Sequence, residues 1–147
     1  MEEFGAPERV YVELDWYDGP ISGLADFNGK PHRFVAEFDF HSDDYLKKFR
    51  LWPVEASILL LEQEQWKIFV EWNDSYEQGL CATESHPGAG GISDRWDELE
   101  LLLKREREEI PADAKLVLAK LIPLDRVNRY SLDGVDYKIS WRLLDEF

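Results

Sequence analysis

The stretch from Val54 to Leu80 constrains this fold more than any other part of the chain. Val54, Ile58, Leu61, Ile68, Trp72 and Tyr76 follow one another at steps of three, four or seven. At about 100° per residue, that spacing places them on one face of an α-helix. Leu59, Trp66, Phe69 and Val70 widen the face to about half the circumference. Glu64, Lys67, Glu71, Asp74 and Gln78 fall on the opposite side, with Leu60 the one apolar intruder. So broad an apolar arc needs cover on more than one side. The helix is therefore predicted to be the central packing surface of a single domain spanning residues 1–147.

Length agrees, because 147 residues can bury a core without disulfides. Cys81 is the only cysteine, which excludes an intramolecular disulfide framework and a cysteine-based metal site. MEEFGAPERV lacks a basic region followed by an apolar core, so no signal peptide is expected there. The longest apolar run, Ile58 to Leu61, falls far short of a bilayer span. A cytoplasmic protein without membrane association is the expectation.

The net charge of -14 is unevenly placed. Residues 111–147 hold six acidic and six basic side chains, so the whole excess lies in residues 1–110. Residues 51–91 carry seven acids against Lys67 alone. Such a field repels nucleic acid and anionic lipid and speeds the encounter with a basic partner. The plainer reading is that the acidity only keeps the protein soluble.

Taken in order, residues 1–9 read as a frayed end. From Val10 the pattern alternates: Val10, Val12, Leu14 and Trp16 point one way, Tyr11, Glu13, Asp15 and Tyr17 the other, as in a half-buried strand. Asp18-Gly19-Pro20 supplies a turn. A second strand runs from about Ser22 to Phe27, in which Gly23 marks a bulge or a close backbone approach. Asn28-Gly29 is a type I′ hairpin signal, and Arg33 to Phe40 forms the third strand. After a polar tip at His41 to Asp44, Tyr45 to Phe49 is read as a turn of helix and Phe49 to Trp52 as a short strand. Pro53 then stands at or just before the first turn of the long helix, which Gly79 ends.

Cys81 to Gly91 is loop. Ser93 or Asp94 caps a second helix that runs to about Ile110 and stops at Pro111, with Trp96, Leu99, Leu102, Leu103 and Ile110 as its buried stripe. Glu100 and Lys104 form a favourably oriented i,i+4 pair. Lys115 to Leu124 is apolar on both faces, as suits an interior strand, and a ten-residue connection with Arg126, Arg129 and Asp133-Gly134 leads to the last one. There Val135, Tyr137, Ile139, Trp141 and Leu143 alternate with Asp136, Lys138, Ser140 and Arg142. Three or four N-terminal strands, two helices and two C-terminal strands predict an α+β fold, its mostly antiparallel sheet packed on two α-helices.

The run Asp15-Trp16-Tyr17-Asp18-Gly19-Pro20, then Ser22-Gly23, Ala25-Asp26, Gly29 and Pro31-His32-Arg33-Phe34, resembles the opening of a group of uncharacterised bacterial proteins. In that group a similar meander precedes a Trp-rich helix like Gln65-Trp66-Lys67-Ile68, a His-Pro loop like His86-Pro87 and a second helix. The His86 loop here is richer in glycine. The resemblance implies the same fold and brings no activity with it, so no catalytic residue is carried over.

Several constellations could bear chemistry. Glu55, Glu62 and Asn73 lie within about 20° of each other on the long helix, with Trp66 beside them. A carboxylate held against an indole can have a raised pKa, which makes Glu62 a buried-acid candidate. The plainer alternative is that Glu62 reaches solvent or pairs with an arginine such as Arg33 or Arg142. Asp39, His41, Asp43 and Asp44 offer oxygen and nitrogen ligands, but their spacing matches no calcium loop and equally describes a solvated tip. Cys81 and His86 could pair as nucleophile and base, although no oxyanion motif accompanies them. Gly88-Ala89-Gly90-Gly91 precedes a helix but lacks the Lys-Ser/Thr of a phosphate cradle.

Three readings follow. The first is an acidic interaction protein that binds a basic protein, in the form of the immunity component of a toxin pair. Its face is Leu60, Glu64, Glu71 and Asp74, extended by Asp15, Asp18 and Asp39. The second is an enzyme or small-ligand binder with a pocket near Glu62, Trp66, Asn73 and His86. The third is a homodimeric structural protein. No motif implies a cofactor or metal, and none marks a catalytic centre, which points away from the enzyme reading.

Overall fold

Alternation and turn chemistry build the N-terminal strands. β1 (Glu8–Trp16), β2 (Pro20–Phe27) and β3 (Lys30–Ala36) form an antiparallel meander. The computed structural model describes residues 4–16, 20–37, 47–126 and 128–144, and of Asp15, Trp16 and Lys47 the backbone. Asn28 and Gly29 have φ of 55° and 76°, the pair of positive angles that a type I′ turn requires. Their amides donate to the Glu8 carboxylate at 3.0 and 2.7 Å, so a residue of β1 fixes the tip of the next hairpin.

β4 (Lys47–Pro53) follows, and the chain returns to the sheet at β5 (Lys115–Pro123) and β8 (Tyr137–Leu143). Between these last two, β6 (Tyr130–Ser131) and β7 (Gly134–Val135) make a small hairpin of their own. The six long strands close into a barrel in the order β1-β2-β3-β4-β5-β8, every pair antiparallel. Its seam joins opposite ends of the chain, with Glu8 opposite Ile139 and Arg9 opposite Lys138. The Gly5 amide adds a bond to the Trp141 carbonyl at 2.9 Å.

Closure gives the barrel an aromatic centre. Phe34, Phe49 and Trp141 meet pairwise with ring centroids 5.3, 5.9 and 6.1 Å apart, within the range of favourable edge and tilted contacts. Val117 and Ala119 lie opposite Phe49 and Trp141 in the register, and both are buried. Gly23 stands where the barrel wall leaves no room for a side chain. A Cβ there would lie 2.0 Å from the Val12 carbonyl oxygen and 2.8 Å from Phe34 Cζ. This is the close backbone approach expected from the sequence, and the β1 register shifts just beside it, between Glu13 and Asp15.

The expected α+β class with antiparallel sheet holds. Four N-terminal and two C-terminal strands of the expected sheet close into a six-stranded barrel, and a separate two-stranded hairpin adds to the expected count. Periodicity reports which residues share a face; it carries no information about whether the first and last strands pair. Residues 47–49 are strand rather than a turn of helix, and Pro53 ends β4 instead of opening the helix. The remainder of the expected third strand, beyond Glu37, lies outside the described residues.

The chain forms two compact units, one from the residues up to Glu55 together with those from Ile110 onward, the other Ala56–Glu109. The second is a helical insertion between β4 and β5, two strands that pair with each other. It contains α1 (Ala56–Glu77), two short 3-10 turns (Thr83–Ser85 and Pro87–Ala89) and α2 (Asp94–Glu108). Gly79, at φ 73°, ends α1 in a Schellman motif: the Leu80 amide reaches the Ser75 carbonyl at 2.9 Å and the Gly79 amide the Tyr76 carbonyl at 3.0 Å. The Ser93 hydroxyl caps α2 by accepting from the Trp96 amide. Leu99 and Leu103 are buried as expected, whereas Leu102 and Ile110 are exposed. No helix among the described residues is long and apolar enough to cross a membrane.

Candidate functional site

Helical geometry places the proposed acidic face first. Steps of four, three, four and three set Leu60, Glu64, Lys67, Glu71 and Asp74 along one line of α1. Leu60 is 66% exposed, and Glu71 and Asp74 are exposed with it. Glu64 differs, since its carboxylate is held by the Arg95 guanidinium from α2 through a 2.7 Å bond from Nη2 and a second, very short one from Nε. This contact pulls the Glu64 carboxyl below its ordinary range. Asp15 is placed by the β1–β2 register opposite Ser22. Asp18 and Asp39 lie outside the described residues.

Arg95 belongs to a wider pattern. It also binds Glu98, Arg105 binds Glu109 at 3.1 Å, and Lys67 lies 3.8 Å from Glu71. Arg107 is the most enclosed of the set. Its Nε and Nη2 donate to the two oxygens of Glu62 at 3.1 and 2.5 Å, its Nη2 also to Gln65 Oε1 at 2.5 Å, and its Nη1 to Glu100 at 3.3 Å. The Gln65 amide closes the ring by donating to Glu100 at 2.9 Å. The Glu62 side chain is 0% exposed. Of the two expectations for Glu62, pairing with an arginine is met, and Arg107 supplies the partner. Glu100, expected to face Lys104, is engaged here instead. A buried carboxylate with a bidentate guanidinium and satisfied neighbours is a structural tie between α1 and α2.

His86, from the same alternative pocket, stands apart from Glu62. Its ring packs 4.5 Å from Trp72 and 5.9 Å from Phe69 by centroid, and Trp72 stacks on Tyr76 at 5.1 Å. Trp72 lies ten residues beyond Glu62, or about 15 Å along the helix axis. Trp66 joins the cluster through Phe69, at 5.5 Å. Asn73 is half-buried on the next turn. Glu62 thus sits in the ion-paired knot, while Trp66 and His86 both pack on Phe69.

The remaining candidates resolve locally. His86 Nδ1 accepts from the Gly88 amide at 2.8 Å, and Cys81 Sγ lies 4.0 Å from the Trp72 carbonyl oxygen. The glycine-rich loop ahead of α2 already holds a carboxylate of its own, because the Gly91 amide donates to Asp97 at 2.9 Å. Asp39, His41, Asp43 and Asp44 lie outside the described residues. Among the described residues no three histidine, cysteine or carboxylate side chains gather as metal ligands would.

One cluster in the barrel escaped the sequence reading. Alternation put Glu13 on the outer side of β1, yet its side chain is only 4% exposed. The Tyr137 hydroxyl donates to it at 2.6 Å and Arg129 Nη2 at 3.1 Å. Burial is the largest influence on Glu13 and lifts its carboxyl above the usual range; the two hydrogen bonds oppose this, and neighbouring Asp136 reinforces it. Burial raises the Tyr137 and Tyr130 hydroxyls as well. Elsewhere on the barrel, Tyr11 donates to Asp26 at 2.6 Å and is pushed up to about 12, first by burial. No local signal marks Glu13, since its partners lie more than a hundred residues away.

Compared with protein-family models, with curated proteins and with solved structures, the chain matches none.

Proposed function

We propose that this chain is an acidic interaction protein whose helical unit binds a basic protein partner, a toxin neutralised by an immunity protein being the form that suits such chemistry. The observation that carries this reading is how the helical unit spends its cations. Residues 56–109 hold thirteen acidic side chains against five basic ones. Lys67, Arg95, Arg105 and Arg107 are all tied to carboxylates of the same unit. Asp74, Glu77, Glu84, Asp94, Glu106 and Glu108 are exposed, and no cation is found against them among the described residues. The negative excess is thus presented outward, where it steers a basic protein and repels polyanions. Exposed Leu60 supplies apolar contact in line with Glu71 and Asp74.

Affinity capture from the native host tests the reading. The expected result is a protein of high isoelectric point, recovered at low salt, released as ionic strength rises, and binding again once both proteins are purified. Recovery that ignores salt, or a captured protein without a basic surface, contradicts it.

A further inference from the structure

The Glu13 cluster is not explained by packing alone. The connection from Leu124 to Val135 returns to β1 and is fixed there at several points. Arg9 Nε donates to the Asp133 carbonyl at 3.1 Å, and Gly134 lies so close that an added Cβ would stand 2.3 Å from the Val10 carbonyl oxygen. Within the connection, Asp133 accepts from the Ser131 hydroxyl at 2.5 Å and from Arg126 at 3.3 Å. From the connection, Arg129 pairs with Glu13 on β1, and its guanidinium also lies 5.0 Å from the Tyr130 ring centroid.

We propose that Glu13 is an acid-operated latch: ionised, it draws Arg129 and the adjoining part of the connection onto β1; protonated, it weakens that hold while keeping its hydrogen bond with Tyr137. The step is proton uptake from solvent by the carboxylate. The acid that results keeps an acceptor oxygen for the Tyr137 hydroxyl but no longer attracts a guanidinium as an ion pair. The groups that face Glu13 among the described residues are Arg129 and Tyr130 from the connection, Asp136 just before β8, and Tyr137 at its start. Arg129 favours the ionised form; burial and Asp136 favour the neutral one.

Two features separate this latch from general acid unfolding. Asp133, in the same connection, is shifted downward by the Ser131 hydroxyl, while Glu13 is shifted upward, so Glu13 gains its proton first as pH falls. The signs of local and global effects also differ. A carboxyl raised in the folded state binds its proton more readily there than in the unfolded chain. The stability it contributes is therefore present in acid and lost as pH rises through the folded pKa. Loosening of the Arg129 segment runs the opposite way, growing as pH falls: Glu13 stays buried against Tyr137 when Arg129 leaves, and without the guanidinium its carboxyl rises further.

The test is amide hydrogen exchange at Arg129, Tyr130 and Ser131 across pH, corrected for intrinsic rates, with the Glu13 side-chain carboxyl followed by NMR in the same samples. The expected result is an increase in local opening of about tenfold, the size of a lost charge-assisted bond, at the midpoint of Glu13. In Glu13→Gln the local opening is raised to a similar extent at every pH and the transition disappears. An unchanged transition in Glu13→Gln, or one that does not follow the Glu13 carboxyl, overturns the proposal. If that variant fails to fold by circular dichroism, Arg129→Met serves instead: the Glu13 midpoint must move upward, and an unmoved midpoint is equally fatal.

Discussion

Arg107 on α2 grips both carboxylate oxygens of Glu62 on α1, forty-five residues earlier in the chain. Glu62 is fully enclosed, and the same guanidinium reaches Gln65 and Glu100. This knot makes the Glu62 carboxylate a holding point between the two helices. Removing one member of such a buried pair is expected to destabilise by about 3–5 kcal/mol. Arg107→Ala should therefore lower the denaturant midpoint strongly without changing the slope. A loss within a few tenths of a kcal/mol would show that the pair contributes no specific stabilisation.

Gly23→Ala tests the barrel wall. The new methyl would meet the Val12 carbonyl and the Phe34 ring, a backbone and a packed aromatic, neither of which yields easily. Overpacking of this kind costs about 1–3 kcal/mol, read in a chemical denaturation series. Gly29→Ala is a useful companion, because nothing stands within 4 Å of its added Cβ and only the φ of 76° opposes it. Its loss should be the smaller, about 1 kcal/mol.

Trp141→Ala should remove the shared partner of Phe34 and Phe49 and open a cavity at the barrel centre. A fully packed Trp replaced by Ala costs about 3–5 kcal/mol. Thermal melting followed by near-ultraviolet circular dichroism reports both the loss and any loosening of the aromatic core.

His32 provides a pH prediction. It is buried, its Nδ1–H donates to the Lys30 carbonyl at 2.9 Å, and burial holds its pKa below the ordinary histidine range. The folded state then binds its proton less readily than the unfolded chain. Its contribution to stability is complete above the unfolded value of about 6.5 and is lost as pH falls from there toward the folded pKa. Titration of the His32 ring by NMR should find its midpoint below the ordinary histidine value; a midpoint at or above that value would contradict the assignment.

Local chemistry was legible in the sequence and distant pairing was not. Asn28-Gly29 announced its type I′ turn, Gly79 its helix end and Ser93 its cap, because each depends on residues within a few positions. Arg107 was legible in principle: it continues the line of Leu99 and Leu103 at steps of four, so a cation was being carried on the buried stripe of α2. Leu102 misled because it neighbours Leu103 in sequence yet turns about 100° away from it. Glu13 and the β1–β8 seam were invisible, since both are created by residues 129–139 returning to the first strand.

The outward acidity of residues 56–109 is the proposed recognition surface. Titration calorimetry of the purified captured partner against wild type and against the triple variant Asp74→Asn, Glu77→Gln, Glu84→Gln tests it most directly, at low and at physiological salt. The claim predicts weaker binding by the variant and a shallower dependence of affinity on salt, with its melting temperature retained. Equal affinity and equal salt dependence in the two proteins would contradict it.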